Sequence, residues 1–438
     1  MEDRQPTVAP QGGYRASVSL LRRNRDFRRV YIASMISLGG DWFLLVALFG
    51  LVLQYTGSGV AVALLLAAQD LTYFAISPFV GVWVDRLDRR RLMVAADLAR
   101  AFLCLGFLFL RSSDVVWIAY VLLGVMACFS ATFEPASQAA LPNLVESDDL
   151  VTANALSGSL WGTMLAVGAA LGGLVTAALG RDAAIVIDAG SFVVSAWLIV
   201  GIHRSFSEER TGHEHASLRE STVETVRYAR RDHRVLALLA VKFGWGIAGG
   251  VLVVIPLLAT HGFHAGDKGI GFLLAARGIG ALIGPFVGRS ALGPKDRRIF
   301  NVIGIALAVF GTGYLLLGVV PGLLLALPAV ALAHVGGGAQ WMLSSYGLQK
   351  IVPDHIRGRI FAFDGMLVTL TFGLSSLLTG WLADTFSARG TAMGMGGLAI
   401  VWAIVWSLLT SDVRRATMLE GCGEAPPEPD DGPGPTPA

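Results

Sequence analysis

The chain has 438 residues, a formal net charge of +2, 54% apolar and only 15% charged residues, and a mean hydropathy of +0.62. Soluble domains carry about 25% charged residues, so this is neither a water-soluble globule nor a disordered chain. The near balance of charge gives no reason to expect a nucleic-acid partner, and Cys104, Cys128 and Cys422 form neither a disulfide framework nor a metal-ligand spacing.

The first 29 residues form a basic, Arg-rich arm. After it, apolar runs of membrane length predict twelve spanning helices, at 30–54, 59–84, 91–110, 115–140, 151–179 and 184–203, then 235–260, 269–289, 299–319, 322–350, 357–383 and 392–411. The polar stretch 204–234 divides them six and six. Within it, Ser217 to Arg231 sets Leu218, Val223 and Val226 among basic residues, the pattern of an amphipathic helix on the inner membrane surface. The tail 412–438 is rich in Pro, Gly and acids and reads as disordered. The expected organisation is therefore an arm (1–29), a first six-helix bundle (30–203), a linker (204–234), a second bundle (235–411) and a tail. Because cytoplasmic loops are rich in Lys and Arg, orientation follows from counting. With both termini inside, 27 of the 34 Lys and Arg fall on the cytoplasmic side and only Arg111, Arg181, Lys268 and Arg389 outside.

Nine ionisable residues lie within the spans: Asp41, Asp70, Asp97, Arg100, Glu134, Asp188, Lys242, Arg277 and Asp364. Each costs roughly 2.5–3.5 kcal/mol at mid-membrane, and together about 27 kcal/mol, more than the ~5–15 kcal/mol stability of a whole protein. They must therefore face a wet cavity or pair. Asp41 shares a helical face with Tyr31, Ser34 and Ser37 or Leu38, and Asp70 shares one with Tyr73 and Ser77. Both faces read as cavity lining, and a carboxylate there with few nearby cations is a proton carrier; the competing reading is a buried acid that pins a helix contact. Glu134, before Pro135 and in line with Ser130 and Gln138, is either a proton acceptor or a gate contact. Asp97 and Arg100, three apart, read as a pair along one helix. Asp188 is placed near interfacial water, and Lys242 is expected to snorkel. Arg277 needs an anionic partner, either Asp364 or a substrate group. Asp364 continues a face with Thr371 and Ser375. His334 can titrate near neutral pH in a cavity or be a satisfied interior residue.

The halves echo each other. GVWVDRLDRRRLM (81–93) is matched by GPFVGRSALGPKDRRIF (284–300), with Gly81 against Gly284, Arg86 against Arg289, Arg89–Arg90 against Arg297–Arg298, and Gly288 where Asp85 sits. Duplicated halves about a polar linker suit a carrier in which two bundles rock around a central site. Gly81, Asp85, Arg86, Arg89 and Arg90 fit the loop motif of the major facilitator superfamily, which the chain resembles over about residues 20–412. Gly40-Asp41-Trp42-Phe43, Phe133-Glu134-Pro135 and SLRESTVETVRYARRDHRV resemble its bacterial efflux branch, which includes enterobactin and macrolide exporters. The exporter glycine motif of helix 5 appears as Gly168-Ala169-Ala170-Leu171-Gly172-Gly173, without its proline, and the drug/proton antiporters' helix 4 arginine has no counterpart.

The resemblance implies an all-α polytopic fold of two pseudo-symmetric six-helix bundles. It also implies a cytoplasmic gate in which Asp85 meets the start of helix 11 near Arg357, with Arg86, Arg89 and Arg90 bonding carboxylates or lipid phosphates. Ser37, Asp41, Asp70, Tyr73, Glu134, Arg277, His334 and Asp364 are the expected cavity residues, with Asp41, Glu134 and Asp70 carrying protons. No phosphate loop or metallopeptidase motif occurs, so no enzyme, no metal and no cofactor is expected. The reading is a secondary transporter of the bacterial inner membrane, acting as a monomer among membrane lipids and exporting hydrophobic drugs or a secondary metabolite such as a siderophore against protons. An importer or exchanger and a non-transporting sensor are the alternatives.

Overall fold

The computed structural model describes residues 14–204, 206, 218–293 and 298–414, without the side chains at 14, 81, 82, 85, 86, 218–224, 354 and 355. The arm up to residue 13, Arg297 of the repeat and the tail from 415 lie outside the described residues. The described residues are helical, with no strand among them.

Twelve helices are long and apolar enough to cross a membrane. In the first half these are α2 (Arg25–Thr56), α3 (Gly59–Arg86), α4 (Arg89–Gly106), α5 (Trp117–Leu144), α6 (Leu150–Leu179) and α7 (Arg181–Val200), preceded by a short α1 (Tyr14–Arg23). A linker helix, α8 (Leu218–Arg231), leads into the second half, which opens with α9 (His233–Gly249) and the single turn α10 (Val254–Leu257). There follow α11 (Gly266–Ala291), α12 (Ile299–Val319), α13 (Leu323–Ile351), α14 (Asp354–Thr385) and α15 (Ala388–Leu409). Each predicted span is present. The first starts about a turn earlier than its apolar run, because the Asn24 side chain caps the helix by accepting from the Phe27 N–H at 2.9 Å.

The helix contacts repeat between the halves. The pairs α2·α6, α2·α7, α3·α5, α4·α5 and α4·α7 recur as α9·α14, α9·α15, α11·α13, α12·α13 and α12·α15. The halves meet along two seams, α6·α11 and α3·α14, which exchange under the same operation. This is the expected pair of pseudo-symmetric bundles. The helix starts also correct the register of the repeat. Counting from Gly59 and Gly266, both helices carry Pro-Phe-Val-Gly at the same place, 78–81 and 285–288. Gly81 therefore corresponds to Gly288 rather than Gly284, and Asp85 to Leu292.

Close approach explains the glycine run. A Cβ on Gly168 or Gly172 would collide with the backbone of Gly39 or Phe43, so α6 lies directly on α2, the contact small residues provide where no hydrophobic effect drives association. The seventh span is broken, where one continuous helix was predicted. After Gly249 the chain passes through a 3₁₀ turn (Gly250–Val253), α10 and a π turn (Leu258–Gly262). Ser375 of α14 holds the break, donating to the Ile247 carbonyl while its Oγ accepts from the Gly250 N–H at 3.2 Å.

On the side away from the termini, polar contacts join the halves. Asp384, near the end of α14, accepts from Ser58 Oγ at 2.6 Å, Gly59 N at 2.5 Å and Val60 N at 3.0 Å, so it sits on the N-terminus of α3. Arg181 of α7 pairs with Asp267 of α11 at 3.1 Å. The molecule is thus closed on that side.

Candidate functional site

A polar cluster occupies the middle of the first half. The Arg100 guanidinium, fully buried between the rings of Phe133 and Phe192, donates to Asp97, to Ser37 Oγ at 2.9 Å, to Ser130 Oγ at 3.3 Å and to Asp41 Oδ2 at 3.4 Å. Tyr73 stands within electrostatic reach of Asp41, Arg100 and Glu134. Residues of α2, α3, α4 and α5 therefore converge. The pairing of Asp97 with Arg100 is as predicted. The expectation that Asp41 has few nearby cations is corrected: Arg100 is its neighbour, because the long guanidinium reaches across from α4 past the pair on its own helix. Asp41 keeps 30% side-chain exposure while Asp97 has none, so of the two acids on this arginine Asp97 is sealed in and Asp41 is partly exposed. Glu134 is exposed and in no ion pair among the described residues.

Asp188 is fully buried, not at interfacial water, since it lies two turns inside α7. It accepts from Cys104 Sγ at 3.4 Å and Ser191 Oγ at 3.1 Å, and Gly40 leaves the room it occupies. Cys104 was not legible as its partner: the two are distant in sequence, and the cysteine lies in an apolar run.

In the second half the charges pair differently from expectation. Lys242 does not snorkel; it is 1% exposed, paired with Asp364, bonded to Ser345 Oγ at 2.9 Å and set over the Trp341 ring at 4.6 Å. The anchor of Asp364 is thus Lys242 of α9, not Arg277. Thr371 donates to its own helix at Leu367, and Ser375 serves the α9 break, so the face they share with Asp364 packs on α9. His334 is the satisfied interior residue, 4% exposed and 2.9 Å from the Tyr314 hydroxyl.

Arg277 lies where the halves meet. Its guanidinium is 5.3 Å from the ring of Trp42 on α2 and 5.4 Å from that of Trp161 on α6, with no ion pair among the described residues. Asp70 of α3 is within electrostatic reach.

Of the gate residues, Gly81, Asp85 and Arg86 lie outside the described side chains. Arg89 is buried and donates to the carbonyls of Ala139 at 2.8 Å and Phe206 at 3.0 Å; Arg90 donates to that of Val200. Arg89 thus ties the first half to the start of the linker, and Arg90 holds the end of α7. Arg357 donates to the Val352 carbonyl at 3.2 Å. Asp88, between the motif's arginines, caps α4 by accepting from the Arg91 N–H at 2.8 Å.

Comparison with known proteins bears on this arrangement. The family model described as transmembrane secretion effector (MFS_3) matches residues 17–420. Macrolide efflux protein A of Streptococcus pyogenes is 23% identical, the match covering 89% of this chain and 96% of that protein. The multidrug efflux pump Tap of Mycolicibacterium fortuitum is 25% identical, over 84% and 91%. An uncharacterised MFS-type transporter of Bacillus subtilis, YfiS, is 25% identical over 88% and 93%. The solved structure of a bacterial homologue of the human lysosomal transporter Spinster, inward-facing and unoccupied, superposes with a TM-score of 0.70 at 12% identity, over 93% of this chain and 99% of that one.

Proposed function

The chain belongs to the transmembrane secretion effector family of major facilitator transporters, and from that premise we propose that it is a proton-coupled exporter of small, largely apolar molecules, with both termini in the cytoplasm. The Lys and Arg excess on the termini side supports the orientation, and the efflux relatives support the direction.

One observation carries the coupling. Arg100 is shared by a fully buried Asp97 and a partly exposed Asp41. With both acids ionised the cluster holds one surplus negative charge, which a single proton on Asp41 cancels. Protonation releases Asp41 from Arg100, frees Ser37 and Ser130 to reorient, and changes what the cavity offers a substrate. Alternating access follows if the two charge states favour different packings of the halves across the α6·α11 and α3·α14 seams.

Asp41→Asn in inverted vesicles is the test. Proton-driven accumulation of a fluorescent dye substrate is expected to fall at least about ten-fold, while exchange of labelled for unlabelled dye, which needs no proton, persists. Undiminished accumulation by the variant would remove Asp41 from the coupling, and accumulation only under the opposite gradient would make the protein an importer.

A further inference from the structure

We propose that the space between Arg277 and Asp70 is a two-ended recognition site for a zwitterion, whose anionic group meets Arg277 and whose cationic group meets Asp70. The proposal rests on the transport reading above and names the substrate class for it.

The corrected repeat register sets the geometry. Asp70 and Arg277 each lie eleven residues after the first residue of their helices, α3 and α11. The two halves thus present opposite charges from equivalent positions on helices that line the seams between the halves, and no ion pair joins the two among the described residues. An arginine and an aspartate kept apart at mid-membrane are costly, and a contact ion pair would be the simplest relief.

Arg277 is held away from that pair. It is 8% exposed, its Nε is buried without a partner, and none of its nitrogens is in a hydrogen bond among the described residues. The rings of Trp42 and Trp161, themselves edge to face at 5.8 Å, steady its guanidinium. Cation–π contacts are worth about 2 kcal/mol when desolvated, less than an ammonium- or guanidinium-sized charge loses on burial, so a deficit remains that a bound anion removes. Behind it, the Tyr314 hydroxyl is already engaged by His334. Asp70 is half-buried and likewise in no ion pair or hydrogen bond among the described residues. A ligand with both charges satisfies both ends at once and touches both halves, so its occupancy bears directly on how they pack. A ligand with one charge leaves the other end unpaired, which discriminates strongly against it.

Purified protein in detergent would be titrated with one scaffold in three charge forms, followed by tryptophan fluorescence. The forms are phenylalanyl-phenylalanine, its methyl ester, which lacks the anion, and its N-acetyl derivative, which lacks the cation. The zwitterion is expected to bind at least about ten-fold tighter than either derivative. Arg277→Gln should abolish its advantage over the ester without weakening the ester, and Asp70→Asn its advantage over the acetyl form. A purely structural role would weaken all three forms alike. Equal binding of the three forms, binding of none, or uniform loss in the variants would overturn the proposal. If either single variant misfolds, the exchange Asp70→Arg with Arg277→Asp should restore zwitterion preference, and a properly folded exchange variant without it would be equally fatal. Because binding is read without a gradient, failure here is separate from failure of the vesicle efflux test.

Discussion

Replacing Asp384 by Ala removes the carboxylate that accepts from Ser58 Oγ, Gly59 N and Val60 N at the start of α3. These bonds join α14 to α3 across a seam between the halves, so they exist only while that side is closed. The carboxylate is exposed, and in the open state water replaces it at modest cost. Losing a capping side chain costs about 1–2 kcal/mol, and solvent screening favours the lower part of that range. The ratio of open to closed molecules should therefore rise by about 5-fold, the factor that ~1 kcal/mol gives. Spin labels on Asp114→Cys and Leu324→Cys, exposed positions at this end of opposite halves, would read the change by electron–electron distance measurement in a cysteine-free background. A longer-distance population should grow in Asp384→Ala and shrink back in Asp384→Glu if the longer acid reaches the same amides. An unchanged distance distribution in Asp384→Ala would refute the idea that this cap holds the side closed.

Other expectations concern the buried charges and the helix contacts. Arg100→Gln strands the fully buried Asp97 and should cost about 3–5 kcal/mol, seen as a lower thermal unfolding temperature in detergent; Asp97→Asn in the same chain should recover most of it. Lys242→Met and Asp364→Asn should each destabilise the protein, and a double-mutant cycle should return a coupling of about 0.5–3 kcal/mol; additivity within error would deny that the pair acts as a unit. Gly172→Leu should abolish folded protein on size-exclusion chromatography, since a side chain there collides with the Phe43 backbone, whereas Gly190→Leu, where a Cβ meets nothing within 4 Å, should fold normally.

The loop motif and the intramembrane acids marked the chain as a transporter, but not which acid meets which base. Asp97 with Arg100 was legible because three residues along one helix fix their distance. Lys242 with Asp364 was not: the partners lie on α9 and α14, and their meeting depends on how each helix is rotated about its axis. Of the two partners considered for Arg277, Asp364 was ruled out for the same reason. The Arg277 helix turns the guanidinium toward Trp42 and Trp161 of the other half, and aromatic faces leave no charge signature along a sequence.

Read alone, the residues determined the number of spans and the split into two halves. They also gave a Lys and Arg bias and the family likeness. Those follow from transfer free energies and spacings that are local and additive along the chain. Tertiary structure alone decided the break after Gly249, the Asp384 cap on α3, and that Asp70 and Arg277 stay unpaired. These depend on helices brought together by small-residue contacts from distant parts of the chain, where many pairings look equally good until the backbones are in place.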